Sequence, residues 1–221
     1  METITLNMRC GTWTEKGVRR KNEDSLEVER NMDLFMIADG MGGHPSGDLA
    51  SQGAVQEALR ALKDAPVPEH FLREAILLAH EELAQAGDNR GSTLTIALIV
   101  GTQLKVGHVG DCRLFVDGRQ VTKDQGSGEM LHHFLGGGRV PEVALYDVPI
   151  RNGSWLLMTT DGVHDTIPIL SEMPRLIMST KGQPEEIARL LVNSALKSGS
   201  NDNCSCIVAQ LTPHSESPTM T

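Results

Sequence analysis

The chain has 221 residues, 39% of them hydrophobic, enough to bury a sizeable core in one domain without forcing two. Only 3% are aromatic, so that core must rest on Leu, Ile, Val, Ala and Met. Twenty Lys and Arg against 29 Asp and Glu give a net charge of −9, a field that repels polyphosphates and anionic lipid and argues against nucleic acid and membrane surfaces as partners.

The longest strongly apolar stretch, Leu94 to Val100, is too short to span a bilayer. The start, Met1-Glu2-Thr3, is polar with no long apolar segment behind it, so no secretory signal is expected. Cys10, Cys112, Cys204 and Cys206 lack the spacing of a disulfide framework or a zinc site. Reduced, mostly buried thiols in a cytoplasmic protein are the expectation.

Residues 4–14 alternate as a strand, and a second strand is expected from Asp24. The apolar run Asp33 to Ala38 reads as a buried strand ending at Asp39. After a Gly-rich turn, a helix over 50–62 places Val55, Ala58, Leu59 and Leu62 on one face, and Pro66 and Pro68 break it. A second helix is expected over about 69–85, with Leu72, Ala75, Ile76, Ala79 and Leu83 as its stripe. The period then changes, and 92–100, 103–109 and 112–116 read as strands joined by tight turns at Gly101-Thr102 and Gly110-Asp111. Two more strands are expected over 142–149 and 154–160. A third helix spans 184–197, with Pro in its first turn and Ile187, Leu190, Leu191, Ser194 and Ala195 on one face. A last strand covers 203–211. Short turns between strands imply antiparallel pairing, and helices segregated from strands imply an α+β fold. Residues 1–211 are expected to form one domain, with a polar tail over 212–221.

Four short strings carry the chemistry: Asn22-Glu23-Asp24, Asp39-Gly40-Met41-Gly42-Gly43-His44, Thr160-Asp161-Gly162 and Asn201-Asp202-Asn203. Each puts a carboxylate at or near the end of an apolar run. Taken singly, each fits a turn with a solubilising Asp. Together they suggest a hard divalent cation, because gathered carboxylates oppose one another's ionisation unless a metal relieves them. Two such ions a few ångströms apart can share a hydroxide suited to in-line attack on phosphorus.

The stretch from Gly17 through Arg19, Arg20 and Asp24 to Ser25 resembles the first motif of the bacterial metal-dependent protein phosphatases, the 2C-like or PPM family. Ile37 to His44 resembles the second motif, Gly91-Ser92-Thr93 and Val109-Gly110-Asp111-Cys112-Arg113 later ones, and Thr160-Asp161-Gly162 and Asp202-Asn203 the final two. The motifs stand in the family's order over nearly the whole chain. The resemblance implies a four-layer α/β/β/α sandwich: two antiparallel sheets face to face, flanked by helices. It also implies that Asp39 bridges two Mn2+ or Mg2+ ions and Gly40 lends one its carbonyl. Asp161 and Asp202 would hold the other ion, and Asp24 would act through bound water. Asp111 matches a residue that can bind a third ion, and Arg19 one that grips substrate phosphate with its guanidinium fork. Arg20, pointing the opposite way along a strand, would be surface. His44 is read either as the acid that protonates the leaving alkoxide or as a loop or substrate contact; the histidine of eukaryotic relatives falls at Met41 here. His108 is expected to be a satisfied sheet-interior residue and Cys112 a small packed one.

The chain departs from the family after Val121-Thr122-Lys123-Asp124. Only Gln125 to Leu135 precede Gly136-Gly137-Gly138, where members carry a longer flap. The flap is expected to be reduced to one short turn or helix bearing solvated His132 and His133, leaving an open cleft. The expected function is hydrolysis of phosphoserine and phosphothreonine in proteins, opposing a serine/threonine kinase, by a monomer. The alternatives are a catalytically silent phosphatase-like signalling or binding module, and a phosphatase of small metabolites.

Overall fold

A computed structural model of the chain describes residues 6–41, 46–88, 90–127 and 130–213. Strands β1 (Leu6–Glu15), β2 (Asp24–Glu29) and β3 (Leu34–Asp39) lead into helices α1 (Gly47–Asp64) and α2 (Leu72–Gln85). Then come β4 (Leu94–Val100), β5 (Gln103–Val109), β6 (Arg113–Val116) and the short β7 (Arg119–Gln120), β8 (Gly126–Ser127) and β9 (Met130–Leu131). The chain continues through β10 (Ala144–Pro149), β11 (Trp155–Thr159), α3 (Asp161–His164), α4 (Ile169–Ser179), α5 (Pro184–Lys197) and β12 (Cys204–Pro213).

The strands form two five-stranded antiparallel sheets, ordered β1-β12-β11-β6-β7 and β10-β5-β4-β3-β2. Period-2 alternation fixes what each face buries. In β3, Phe35 and Ile37 join Leu114, Met158 and Ile207 of the other sheet in the central core. Leu34, Met36 and Ala38 face the other way, against Ala54, Leu62 and Ile76 of α1 and α2. In β12, Cys204, Cys206 and Val208 pack under Ile187, Leu191 and Ala195 of α5 and Met173 of α4. The layers run α/β/β/α, as expected for an α+β sandwich.

The local rules hold at most boundaries. Ala65 leaves α1 extended because Pro66 follows it, and Pro184 opens α5. The buried stripe of α5 is Ile187, Ala188, Leu191, Val192 and Ala195, rotated from the expected one so that Leu190 and Ser194 lie at its margin.

Two helices depart from expectation. Asp161 to His164 makes a helical turn and Ile169 to Ser179 forms α4, in a stretch where the sequence pattern suggested no element. Pro168 and Pro174 look like breakers, yet Ile169, Met173 and Leu176 are buried at i, i+4 and i+7, and that packing outweighs the proline's lost hydrogen bond. The reduced flap is a hairpin, with Gly126 opposite Leu131 and Ser127 opposite Met130, and not a helix.

Candidate metal centre

The topology gathers the carboxylates at one end of the sandwich. Asp24, first residue of β2, pairs in register with Asp39, last residue of β3. Asp111 lies in the turn from β5 to β6, Asp161 opens α3 two residues after β11, and Asp202 is the bend two residues before β12. A cavity of about 820 Å³ opens there, lined by Asp39, Gly40, Asp111, Asp161, Asp202 and Arg19 among others.

Each acid is held by its backbone. The Asp39 N–H donates to Thr93 Oγ1 at 2.8 Å, and its carbonyl accepts from the Thr93 N–H at 2.8 Å and Ser92 Oγ at 3.0 Å. Thr93 in turn packs its hydroxyl 3.2 Å from Cys112 Sγ, and Cys112 is fully buried. Gly40 donates its N–H to the Glu23 carbonyl at 3.0 Å, and a Cβ there would lie 2.0 Å from the Gly47 carbonyl oxygen. No larger residue fits. Thr160 Oγ1 donates to Asp24 Oδ2 at 3.0 Å and accepts from the Ser205 N–H at 3.1 Å, which ties the site across the two sheets.

Asn203 closes the far side. Its Oδ1 accepts from the Glu23 N–H at 2.9 Å, and its amide donates to the carbonyls of Lys16 at 3.0 Å and Lys21 at 2.9 Å. That clamp sets the 16–23 segment, which is turn and bend, not strand. Arg20 is exposed there, though not through strand alternation as the sequence suggested. Arg19 lies on the cleft. Its Nη2 donates to Asp202 Oδ2 at 2.6 Å and its Nε to the Asn201 carbonyl at 3.0 Å, engaging one edge of the fork. His44 lies outside the described residues.

The electrostatics are those of crowded anions. Burial, then the charges of Asp161 and Asp202, pushes Asp24 up to about 7 against the pull of its Ser205 and Thr160 hydrogen bonds. Burial, then Asp24 and Asp161, pushes Asp39 well above the usual carboxylate range. Burial and Asp161 push Asp111 up to about 7. Burial and Asp202 raise Asp161, and the charge of Asp161 in turn raises Asp39. Carboxyls crowded in this way keep a proton unless a cation relieves them.

Three sealed carboxylate oxygens have no hydrogen-bond partner among the described residues: Asp24 Oδ1 and Asp161 Oδ1 beside the cleft, and Asp48 Oδ1 on α1. Orphaned buried anionic oxygens are costly, and oxygen-preferring divalent ions would relieve the two beside the cleft. Among the described residues no three His, Cys, Asp or Glu side chains converge closely enough to hold an ion alone. Main-chain and water oxygens must complete any shell, which is the habit of Mg2+. The residues present therefore fit such ions.

Residues without an assigned role in the sequence also build the cleft. Arg113 lines it, gripping both oxygens of Asp124 at 2.6 to 3.1 Å and standing 3.5 Å from Asp165 at the end of α3. Only its place two residues after Asp111 hinted at this. His108 is fully buried, with Nδ1 2.8 Å from Thr95 Oγ1 and Nε2 3.1 Å from the Lys123 carbonyl, the satisfied interior residue expected. Burial lowers it to about 4, so it is neutral.

Fold and site together define a four-layer sandwich with an acidic, cation-accepting cleft at the ends of its strands. The sequence profile described as Protein phosphatase 2C matches residues 17–189, and the chain belongs to this family of protein phosphatase enzymes. The serine/threonine phosphatase stp of Listeria monocytogenes is 27% identical, with 89% of this chain and 93% of that protein covered. The serine/threonine protein phosphatase PstP of Mycobacterium tuberculosis is 28% identical over 96% of this chain and 46% of that longer protein. The crystal structure of the PstP catalytic domain in complex with two manganese ions superposes with a TM-score of 0.82 at 29% identity, covering 94% of this chain and 100% of that one.

Proposed function

We propose that this chain hydrolyses phosphoserine and phosphothreonine in proteins, using two Mn2+ or Mg2+ ions, with a third ion near Asp111. The observation that carries this is the pair of sealed, partnerless carboxylate oxygens of Asp24 and Asp161 beside Asp39, in a cleft that Arg19 borders. Asp24, Asp39, Asp161 and Asp202, with the Gly40 carbonyl, would hold the ions. When bound, they would polarise phosphoryl oxygens and activate water.

The chain's own residues supply the rest. Thr93 and Ser92 fix the Asp39 backbone, so the central carboxylate would hold the ions without reorganising. Arg19 orients the phosphate and stabilises its charge, and Asp202 holds the guanidinium at the cleft until substrate arrives. His44 is the candidate proton donor to the leaving alkoxide. Only Gln125 to Leu135 stand where members of the family carry a longer flap, which supports access of a protein loop to the cleft. The active unit is residues 1–211, a cytoplasmic monomer opposing a serine/threonine kinase.

A panel of phosphopeptides and an aryl phosphate, assayed in manganese with and without chelator, tests the reading. Chelator-sensitive hydrolysis of phosphoserine and phosphothreonine peptides is expected. Turnover that persists in chelator would contradict metal dependence. No turnover of any substrate in saturating manganese would favour a silent signalling module.

A further inference from the structure

Arg19 reaches the cleft from a loop, and two different ties hold that loop to the bend at 201–203. One is ionic. Arg19 Nη2 donates to Asp202 Oδ2 at 2.6 Å, between side chains 44% and 36% exposed, where water weakens the pair. The other is the side chain of Asn203, a buried residue. Its amide donates to the Lys16 carbonyl at 3.0 Å and the Lys21 carbonyl at 2.9 Å, and its oxygen accepts from the Glu23 N–H at 2.9 Å. All three bonds end on main chain, and they grip the loop on both sides of Arg19. The Lys16 carbonyl also accepts from the Arg19 N–H at 3.2 Å, so the turn that carries Arg19 starts at an atom Asn203 holds. At Gly17, φ is +57° and a Cβ would lie 2.7 Å from the Asp202 carbonyl oxygen, so loop and bend meet there with no room for a side chain.

The two ties differ in what the reaction asks of them. The phosphatase reading gives Asp202 to an ion and Arg19 to a phosphate, so their pair must loosen as the site fills. The bonds of Asn203 engage neither charged group and survive that change.

We propose that Asn203 is a positioning residue for phosphate recognition: it aims Arg19 into the cleft and keeps it aimed when Asp202 is otherwise engaged. The inference rests on the reading of Arg19 as the residue that grips substrate phosphate. Lys16, Val18, Arg19, Arg20 and Lys21 are exposed, so without the Asn203 amide the freed carbonyls turn to water and the loop swings away from the bend. The loss is local. The sheets keep their pairing, the acids keep their places, and Arg19 loses its fixed direction.

The test compares the unmodified full chain with Asn203→Ala and with Asn203→Ser, whose side chain is too short to reach both carbonyls, each alone and combined with Arg19→Ala. In chelator, brief trypsin treatment read by mass should release N-terminal fragments ending at Lys16, Arg20 or Lys21 about tenfold faster from the Asn203 variants, the worth of one or two net hydrogen bonds, with a far smaller change in global unfolding. In manganese, inorganic phosphate should inhibit aryl phosphate turnover about tenfold more weakly, and the fall in kcat/KM should lie in KM, with the number of manganese ions bound unchanged. Added to Arg19→Ala, either substitution should weaken phosphate inhibition no further, because Asn203 acts through Arg19. Tryptic release equal to that of the unmodified chain overturns the proposal, as does loss of a manganese ion or a full further loss in the Arg19→Ala background. Failure of both Asn203 variants to fold overturns it too, by making the side chain a prop for the whole fold. Any of these with turnover intact in the unmodified chain leaves the phosphatase reading standing. No aryl phosphate turnover by the unmodified chain overturns that reading and the role of Asn203 with it.

Discussion

Asp24→Asn should stabilise the metal-free protein while impairing its activity. Asp24 is tightly enclosed by its neighbours: Oδ1 is sealed without a partner, and burial followed by the charges of Asp161 and Asp202 moves its proton affinity from 3.8 to about 7. At about 1.4 kcal/mol per tenfold change in that affinity, an ionised Asp24 costs the fold roughly 4 kcal/mol at pH 8. The residue as a whole is only part-buried although Oδ1 is covered, so screening reduces the figure to about 2 kcal/mol. An Asn keeps an oxygen for the Thr160 hydroxyl and turns an amide toward the surrounding carboxylates. For a chain of this size that gain is about 4–8 °C in Tm. The sign with pH is definite. A carboxyl whose folded affinity is raised stabilises the fold while it holds its proton, and that contribution is lost as pH climbs from about 4 to about 7. The Asn gain should therefore be largest at pH 8 and shrink toward nothing near pH 4. Thermal unfolding in chelator at several pH values measures it. No gain at pH 8, or a gain that grows as pH falls, would refute the claim that these acids are crowded in the folded chain.

Gly162→Ala should destabilise by about 1–3 kcal/mol, since the added Cβ would lie 2.0 Å from the Asn203 carbonyl oxygen and must push Asp161 away from Asp202; denaturant unfolding and manganese titration read the two effects. Arg113→Ala frees Asp124 and Asp165 beside Asp111, adding unmatched negative charge to the cleft; a fall of about tenfold in kcat is expected, with little rescue by Arg113→Lys because an ammonium cannot grip both oxygens. Arg19→Ala should raise KM for phosphopeptides and lower kcat/KM by about ten- to a hundredfold, the worth of a charge-assisted contact, with Tm nearly unchanged because its pair with Asp202 is half exposed.

The layers were legible because their signals are local and redundant. The run ending at Asp39 is apolar on both faces because β3 is covered by helices on one side and the other sheet on the other. The helix at 184–197 has its proline, its acidic first turn and its apolar stripe in agreement. The convergence of Asp24, Asp39, Asp111, Asp161 and Asp202 was also readable, since each lies at a strand end or within two residues of one and the antiparallel order brings those ends together. What stayed hidden depends on partners distant in the sequence. Helix α4 exists despite two prolines because the sheet beneath it buries Ile169, Met173 and Leu176. The three hydrogen bonds of Asn203, and the grip of Arg113 on Asp124, follow no sequence period. Nor does the pairing of Arg19 with Asp202, which joins residues 183 positions apart.

Calorimetric titration of the unmodified chain and of Asp39→Asn with manganese, in chelator-stripped buffer, reaches the centre of the account. At least two ions per chain are expected for the unmodified protein, with a rise in Tm on loading because the ions bind only the folded acids. Asp39→Asn should lose at least one ion, together with turnover of aryl phosphate. A chain that takes up no manganese at millimolar concentration, or an Asp39→Asn variant that binds and turns over as the unmodified chain does, would contradict the assignment of this cleft as a metal centre.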